Sequence, residues 1–238
     1  MREIKILAIV IFFTAVTYWG VEPYAHSQMH PHVAPADFSF KNMPSIALNG
    51  NIDNGKTLVE ANCIACHSIK SLGFEAPMSN DDAAGAYGVV PPDLSHAGAI
   101  YDKNYLAGFL KDPVSATKLS HKFGDAKPYA MPSYSFLSEQ EIADIVAYLK
   151  NIVATKPTDK MVFEEACGRC HSMKYDGFKA QTSSTFMKNY LGSEAPDLSM
   201  MIRSKKAEYL TTFINEPLKM VRSEERRVGK ECLRLCRS

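Results

Sequence analysis

The chain opens on a run in which apolar positions neither alternate nor recur with a helical period. Ile6 to Val21 is almost wholly apolar, Arg2 and Lys5 precede it, and Tyr18 and Trp19 stand at its far end. With its flanks the run approaches the ~20 residues that cross a bilayer, and its terminal aromatics suit the membrane interface. Residues 1–24 are therefore expected to be an uncleaved transmembrane anchor; no Ala-x-Ala site favours a cleaved signal peptide. The early positive charges would keep the N-terminus cytoplasmic. Residues 25–49 then read as a solvated stalk, with Pro31, Pro35 and Pro44 and little apolar periodicity, after Pro23 at its edge. His26, His30 and His32 gather there without convincing further ligands for a metal.

From residue 50 the pattern becomes helical. Asn54 or Asp53 is expected to cap a helix through Gly55, Leu58 and Val59. A second helix should run from about Lys103 to Lys111 and end at Asp112-Pro113. Residues 121–136 look like loop and contain Tyr129-Ala130-Met131-Pro132. Ser138-x-x-Glu141 is a capping box, opening a helix whose Ile142, Ile145, Val146 and Leu149 form an i, i+3, i+4, i+7 stripe. That stripe reads as core packing.

Chemistry enters at Cys63-Ile64-Ala65-Cys66-His67, which ends the first helix. Cys-x-x-Cys-His is the spacing of a c-type haem attachment site. Two thiols three positions apart each reach a haem vinyl carbon, and the adjacent imidazole reaches the iron. The pentapeptide returns at Cys167-Gly168-Arg169-Cys170-His171, 104 positions on. The same offset carries Gly73-Phe74 to Gly177-Phe178, Pro92-Asp93-Leu94-Ser95 to Pro196-Asp197-Leu198-Ser199, and Tyr105-Leu106 to Tyr209-Leu210 without a gap. Repetition over this length means duplicated domains, expected at 50–155 and 156–221. Four of the six cysteines are consumed by two covalently attached haems, leaving Cys232 and Cys236.

The order helix, Cys-x-x-Cys-His, Pro-x-Leu, helix, Met-Pro loop and amphipathic terminal helix resembles a class I cytochrome c domain. The resemblance implies an all-α fold: an N-terminal transmembrane helix followed by two such domains, the second truncated. It implies Met131 as the distal iron ligand and Pro92 as the carbonyl partner of His67, with Leu94 packing on the haem. Pro196 and Leu198 correspond in the second copy, where His171 is the proximal ligand. It also implies that Gly55 and Tyr148 meet where the first and last helices cross. Met78 is an alternative to Met131; His96 and His121 are surface or packing residues, or rival ligands. The Met131 counterpart falls at Leu235, so the second haem lacks a matching ligand. Met187, Met200, Met201 and Met220 are makeshift candidates.

Trp19-Gly20-Val21-Glu22-Pro23-Tyr24-Ala25-His26, the long insertion before Pro91-Pro92-Asp93, and the duplicated haem domains resemble the two-haem cytochrome c1-type subunit of some bacterial quinol–cytochrome c reductases. The family's C-terminal membrane helix is missing. The resemblance implies a bacterial inner-membrane subunit with haem domains facing the periplasm, partnered by cytochrome b and a Rieske iron–sulfur protein. Electrons would pass from the Rieske protein to a soluble cytochrome c. Such a subunit makes and breaks no substrate bonds and is not an enzyme by itself. The alternative is the two-haem electron-input subunit of a cbb-type haem-copper oxidase. A two-haem peroxidase needs an open distal position, against which the Met131 loop argues. A structural zinc site leaves the repeated Pro-Asp-Leu-Ser unexplained.

Net charge is +1, so no basic field points to nucleic acid. Even that sign rests on the end of the chain. Arg222-Ser223-Glu224-Glu225-Arg226-Arg227-Val228-Gly229-Lys230-Glu231-Cys232 resembles a common sequencing adapter translated in frame. Residues 222–238 are therefore expected to be a non-native tail, replacing a natural continuation past about Val221. A solvated basic tail and a Cys-x-x-x-Cys metal site compete with that reading. Without residues 222–238 acidic side chains slightly outnumber basic ones.

Overall fold

The computed structural model describes residues 2–29, 43, 45–46, 49–205 and 207–215. His30, His32, Met220, Cys232, Cys236, Leu235 and the expected tail at 222–238 lie outside the described residues. Along the chain come α1 (Arg2–Val16), α2 (Glu22–Met29), α3 (Ile52–Asn62), α4 (Asn80–Tyr87), α5 (Ala97–Ile100), α6 (Lys103–Lys111), α7 (Pro113–Ala116), α8 (Glu139–Asn151), α9 (Asp159–Val162), α10 (Ser184–Leu191), α11 (Met201–Ser204) and α12 (Ala207–Asn215). No strand forms among the described residues; pairing is limited to isolated bridges. The all-α expectation is met. Ser39–Ser204 forms one compact unit, and Met1–Phe38 with Lys205–Ser238 a second.

In the second unit, α1 and α2 are joined through a π-helical turn at Thr17–Val21. Pro23 has no N–H to donate to a carbonyl four residues back. The wider turn, in which the Glu22 N–H bonds Thr17 O, lets the helix continue past it. Arg2–Ser27 is thus a helical stretch of 26 residues, long and apolar enough to cross a membrane by length and composition, and none of its apolar window is buried. The stalk expected from residue 25 is helical as far as Met29, because the π turn accommodates Pro23 within the helix.

In the Ser39–Ser204 unit, α3 and α8 cross as the first and last helices of the first repeat. The cap of α3 is Asn51, whose side chain accepts from the N–H groups of Asp53 and Asn54; neither of those two is the cap. Asn51 is selected by α8: its N–H donates to Asp144 Oδ1 at 2.6 Å, and Asn54 Nδ2 donates to Asp144 Oδ2 at 2.6 Å. At the crossing a Cβ on Gly55 would lie 2.8 Å from Tyr148 Cβ and would collide with the Asp144 carbonyl. The Ser138–Glu141 capping box is formed. Ile142, Ile145, Val146 and Leu149 are buried with Val59, Cys63, Ile69, Leu106 and Leu110 in one core. α6 has the expected bounds, and Asp112-Pro113 both ends it and starts α7.

The second repeat reproduces the first at the offset of the sequence match. The 3-10 turn Lys70–Leu72 returns as Lys174–Asp176, α4 as α10, α5 as α11 and α6 as α12. Gly73 and Gly177 end their turns at φ of 81° and 80°, a left-handed conformation that glycine adopts at little cost. Within the unit the two repeats touch closely. The Val90 N–H donates to Thr182 Oγ1 at 3.0 Å, and His96 Nδ1 pairs with Glu165 Oε1 at 2.6 Å.

Candidate haem sites

The first motif is the C-terminal overrun of α3. The Cys63 N–H still bonds Val59 O, and the N–H groups of Cys66 and His67 both return to Cys63 O at 3.1 and 2.9 Å. This tight turn brings two thiols and an imidazole together. All four described cysteines are free thiols. Burial, with Cys66 beside it, pushes the Cys63 thiol up to about 11. The Cys66 thiol lies 3.6 Å from Tyr87 Oη.

His67 Nδ1 lies 2.8 Å from Pro92 O. A carbonyl can only accept, so Nδ1 carries the proton and Nε2 keeps its lone pair. Burial pushes the His67 pKa down, against the opposing pull of the Pro92 carbonyl. The ring is therefore held neutral, as a ligand must be.

The Pro92 carbonyl is fixed by its neighbours. Ser68 Oγ donates to Asp93 Oδ2 at 2.6 Å, the Ser95 N–H to Asp93 Oδ1 at 2.8 Å, and the Leu94 N–H to Ser68 O at 2.9 Å. Burial alone would raise the Asp93 pKa, but the hydrogen bonds from Ser68, Ser95 and Lys70 hold it below the ordinary range. Leu94, Met131, Ile64 and Phe74 are half-buried and pack on the core that contains Cys63. Met131 thus lies against the same core as Cys63. Met78 is 40% exposed and lines a cleft of about 830 Å³ beside Cys66. His121 is exposed, and His96 is engaged by Glu165.

The second motif has the same bonds. His171 Nδ1 lies 2.8 Å from Pro196 O, Ser172 Oγ donates to Asp197 Oδ2 at 2.6 Å, and the Leu198 N–H bonds Ser172 O at 2.8 Å. Hydrogen bonds from Ser172 and Ser199 hold the Asp197 carboxyl far below its usual range. Cys167 is exposed where Cys63 is buried. Of the makeshift ligands, Met187 is 1% exposed within α10 and Met200 is 53% exposed. Among the described residues, none of Met187, Met200 and Met201 lies in a loop matching that of Met131.

Sequence reasoning passed over Arg169, Thr182 and Tyr190. Each belongs to the second repeat and bonds the first: Arg169 Nε donates to Val90 O at 2.8 Å, and the Ala130 N–H donates to Tyr190 Oη at 2.9 Å. The capping or periodic signals of a single segment carry no trace of such contacts.

Two free thiols on one turn, with an adjacent neutral imidazole whose outer nitrogen is tied to a carbonyl, are the donors that covalent haem requires. Among the described residues no group of three or more His, Cys, Asp and Glu side chains could hold a bare metal ion. Residues 52–152 match the family model for cytochrome c. No curated protein and no solved structure matches the chain. A cytochrome c domain is thus found over residues 52–152, and it supports covalent haem c and haem-based electron transfer there.

Proposed function

We propose that the protein is a membrane-anchored two-haem c-type cytochrome that accepts electrons from a Rieske iron–sulfur protein and passes them to a soluble cytochrome c. Its place is a bacterial quinol–cytochrome c reductase, with the haem domains on the periplasmic side. The observation that carries the two-haem reading is the recurrence of the His–Pro carbonyl bond at 2.8 Å in both repeats, each braced by a Ser–Asp bond at 2.6 Å. A chance Cys-x-x-Cys-His has no reason to rebuild that support.

Bound haem supplies a one-electron iron couple. Cys63 and Cys66 hold the first group and Cys167 and Cys170 the second, while His67 and His171 are the proximal ligands. Pro92 and Pro196 fix the ring orientation and tautomer. Leu94 and Leu198 pack beside the rings. Met131 would supply the other iron ligand of the first haem, which would favour the reduced iron and leave no open site for a substrate there. Outer-sphere transfer follows, and the subunit is not an enzyme by itself. The helix Arg2–Ser27 supplies the anchor.

The test uses the native complex, purified by a tag on this subunit. Quinol-driven reduction of cytochrome c without oxygen uptake supports the assignment. Oxygen uptake fed by reduced cytochrome c moves the subunit to a cbb-type oxidase. Replacing Cys63 and Cys66 by Ala together should leave one covalent haem; retention of two removes the two-site reading.

A further inference from the structure

Arg169 lies inside the second Cys-x-x-Cys-His, yet its side chain serves the first repeat. Its Nε–H donates to Val90 O at 2.8 Å. The Val90 N–H donates to Thr182 Oγ1 at 3.0 Å, and the Thr182 N–H returns to Arg169 O at 2.9 Å. This closed cycle is well buried, with Val90 5% and Thr182 1% exposed. Two residues past Val90, Pro92 O accepts from His67 Nδ1. The guanidinium is therefore held beside the loop that orients the first proximal ligand.

Its charge reaches into that site, acting on His67, Tyr101, Tyr105 and Tyr129. Yet no carboxylate lies within ion-pair distance of Arg169 among the described residues, and the adjacent acid Glu165 is engaged by His96. Among the described residues one of its five N–H donors is used. A partly buried cation with donors to spare and no counter-charge beside it is suited to receive an anion. Haem brings two propionates, and a guanidinium fork fits a carboxylate in bidentate fashion.

We propose that Arg169 is the counter-ion of a propionate on the haem attached at Cys63 and Cys66, so that the second motif neutralises the cofactor of the first. The proposal rests on haem attachment at the first motif. It makes Arg169 a positioning residue that also tunes the first reduction potential. A nearby cation stabilises the form carrying the extra electron.

The test uses the full chain matured with haem, as wild type, Arg169→Gln and Arg169→Lys. The first haem's redox wave is identified by its loss when Cys63 and Cys66 are both Ala. Gln keeps a donor for Val90 O and removes the charge. Its first midpoint should fall by about a tenfold shift in the reduction equilibrium, about 59 mV for one electron, with haem content unchanged. Lys should keep most of the wild-type midpoint. An unchanged first midpoint in Arg169→Gln, or a shift confined to the second haem, overturns the proposal. Should the Gln variant fail to mature, a crystal structure of the wild-type holoprotein decides. A guanidinium–propionate distance within 4 Å supports the assignment, and a guanidinium turned to solvent overturns it. A wild-type protein with no haem on Cys63 and Cys66 removes instead the reading on which the proposal rests.

Discussion

The Ala130 N–H donates to the Tyr190 hydroxyl at 2.9 Å, joining the residue before Met131 to a helix of the second repeat. Tyr190 is held from several sides. Its ring centroid is 5.0 Å from that of Phe123, and its edge covers Gly88, where a Cβ would fall 2.5 Å away. Gly88 has φ of 82°, so glycine is needed there for backbone and for space. Lys122 and Lys127 donate to Leu191 O and Asn189 O at the C-terminal end of α10, where cations complement the helix dipole. The second repeat thereby braces the loop that carries the proposed sixth ligand of the first.

Removing the hydroxyl should loosen that loop without emptying the core. Tyr190→Phe loses one hydrogen bond, worth about 1 kcal/mol. With Met131 as the proposed ligand, external imidazole should bind the ferric first haem about fivefold more tightly. Titration of the visible spectrum measures this. Equal affinity in wild type and variant would show that Tyr190 does not hold the loop closed.

Met131→Ala tests the ligand itself. Loss of a thioether should lower the first midpoint potential and open the iron to external ligands. The second haem should be unaffected. Potentiometry with imidazole titration checks both, and an unchanged first potential would assign the sixth position to another residue.

Features set within one segment were readable from the sequence. The Ser138–Glu141 box and the bounds of α6 depend on residues at most a few positions apart, and both are as expected. The start of α3 was misplaced because Asn51, Asp53 and Asn54 are all capping types. The choice is made by Asp144, 93 positions away from Asn51. Residues 25–29 were expected to be stalk but are helical, and the π turn that carries the helix past Pro23 is a backbone adjustment with no residue signature. At the first site, His67 and Pro92 were recognisable through a fixed motif. Arg169 and Tyr190 were not, since their roles depend on how the two repeats pack.

Gly55 gives a test in which two effects have opposite sign. In a helix interior Ala is favoured over Gly by about 1 kcal/mol. At Gly55 the added methyl meets the Asp144 carbonyl and Tyr148 Cβ, and overpacking against a backbone costs about 1–3 kcal/mol. Gly55→Ala should therefore lower Tm in a thermal melt of the haem-loaded protein. A raised Tm would mean that α3 and α8 do not approach so closely.

Asp144 links that crossing to pH. It is 2% exposed and accepts from the Asn51 N–H, Asn54 Nδ2 and Gln140 Nε2 at 2.6, 2.6 and 2.7 Å. Burial alone would raise its pKa, but these donors outweigh it and hold the carboxyl below its ordinary value. A depressed carboxyl contributes stability that is present above its unfolded pKa, near 3.9. That contribution is lost as pH falls through the lower folded value. Asp144→Ala leaves three donors without an acceptor and should cost about 3 kcal/mol at neutral pH, read from urea unfolding. Asp144→Asn should also be destabilised at pH 7, since an amide presents a donor where a carboxylate accepted. Its stability should then fall less steeply than the wild type's below about pH 4. Parallel acid slopes in the two proteins would show that the Asp144 charge is not what ties α3 to α8.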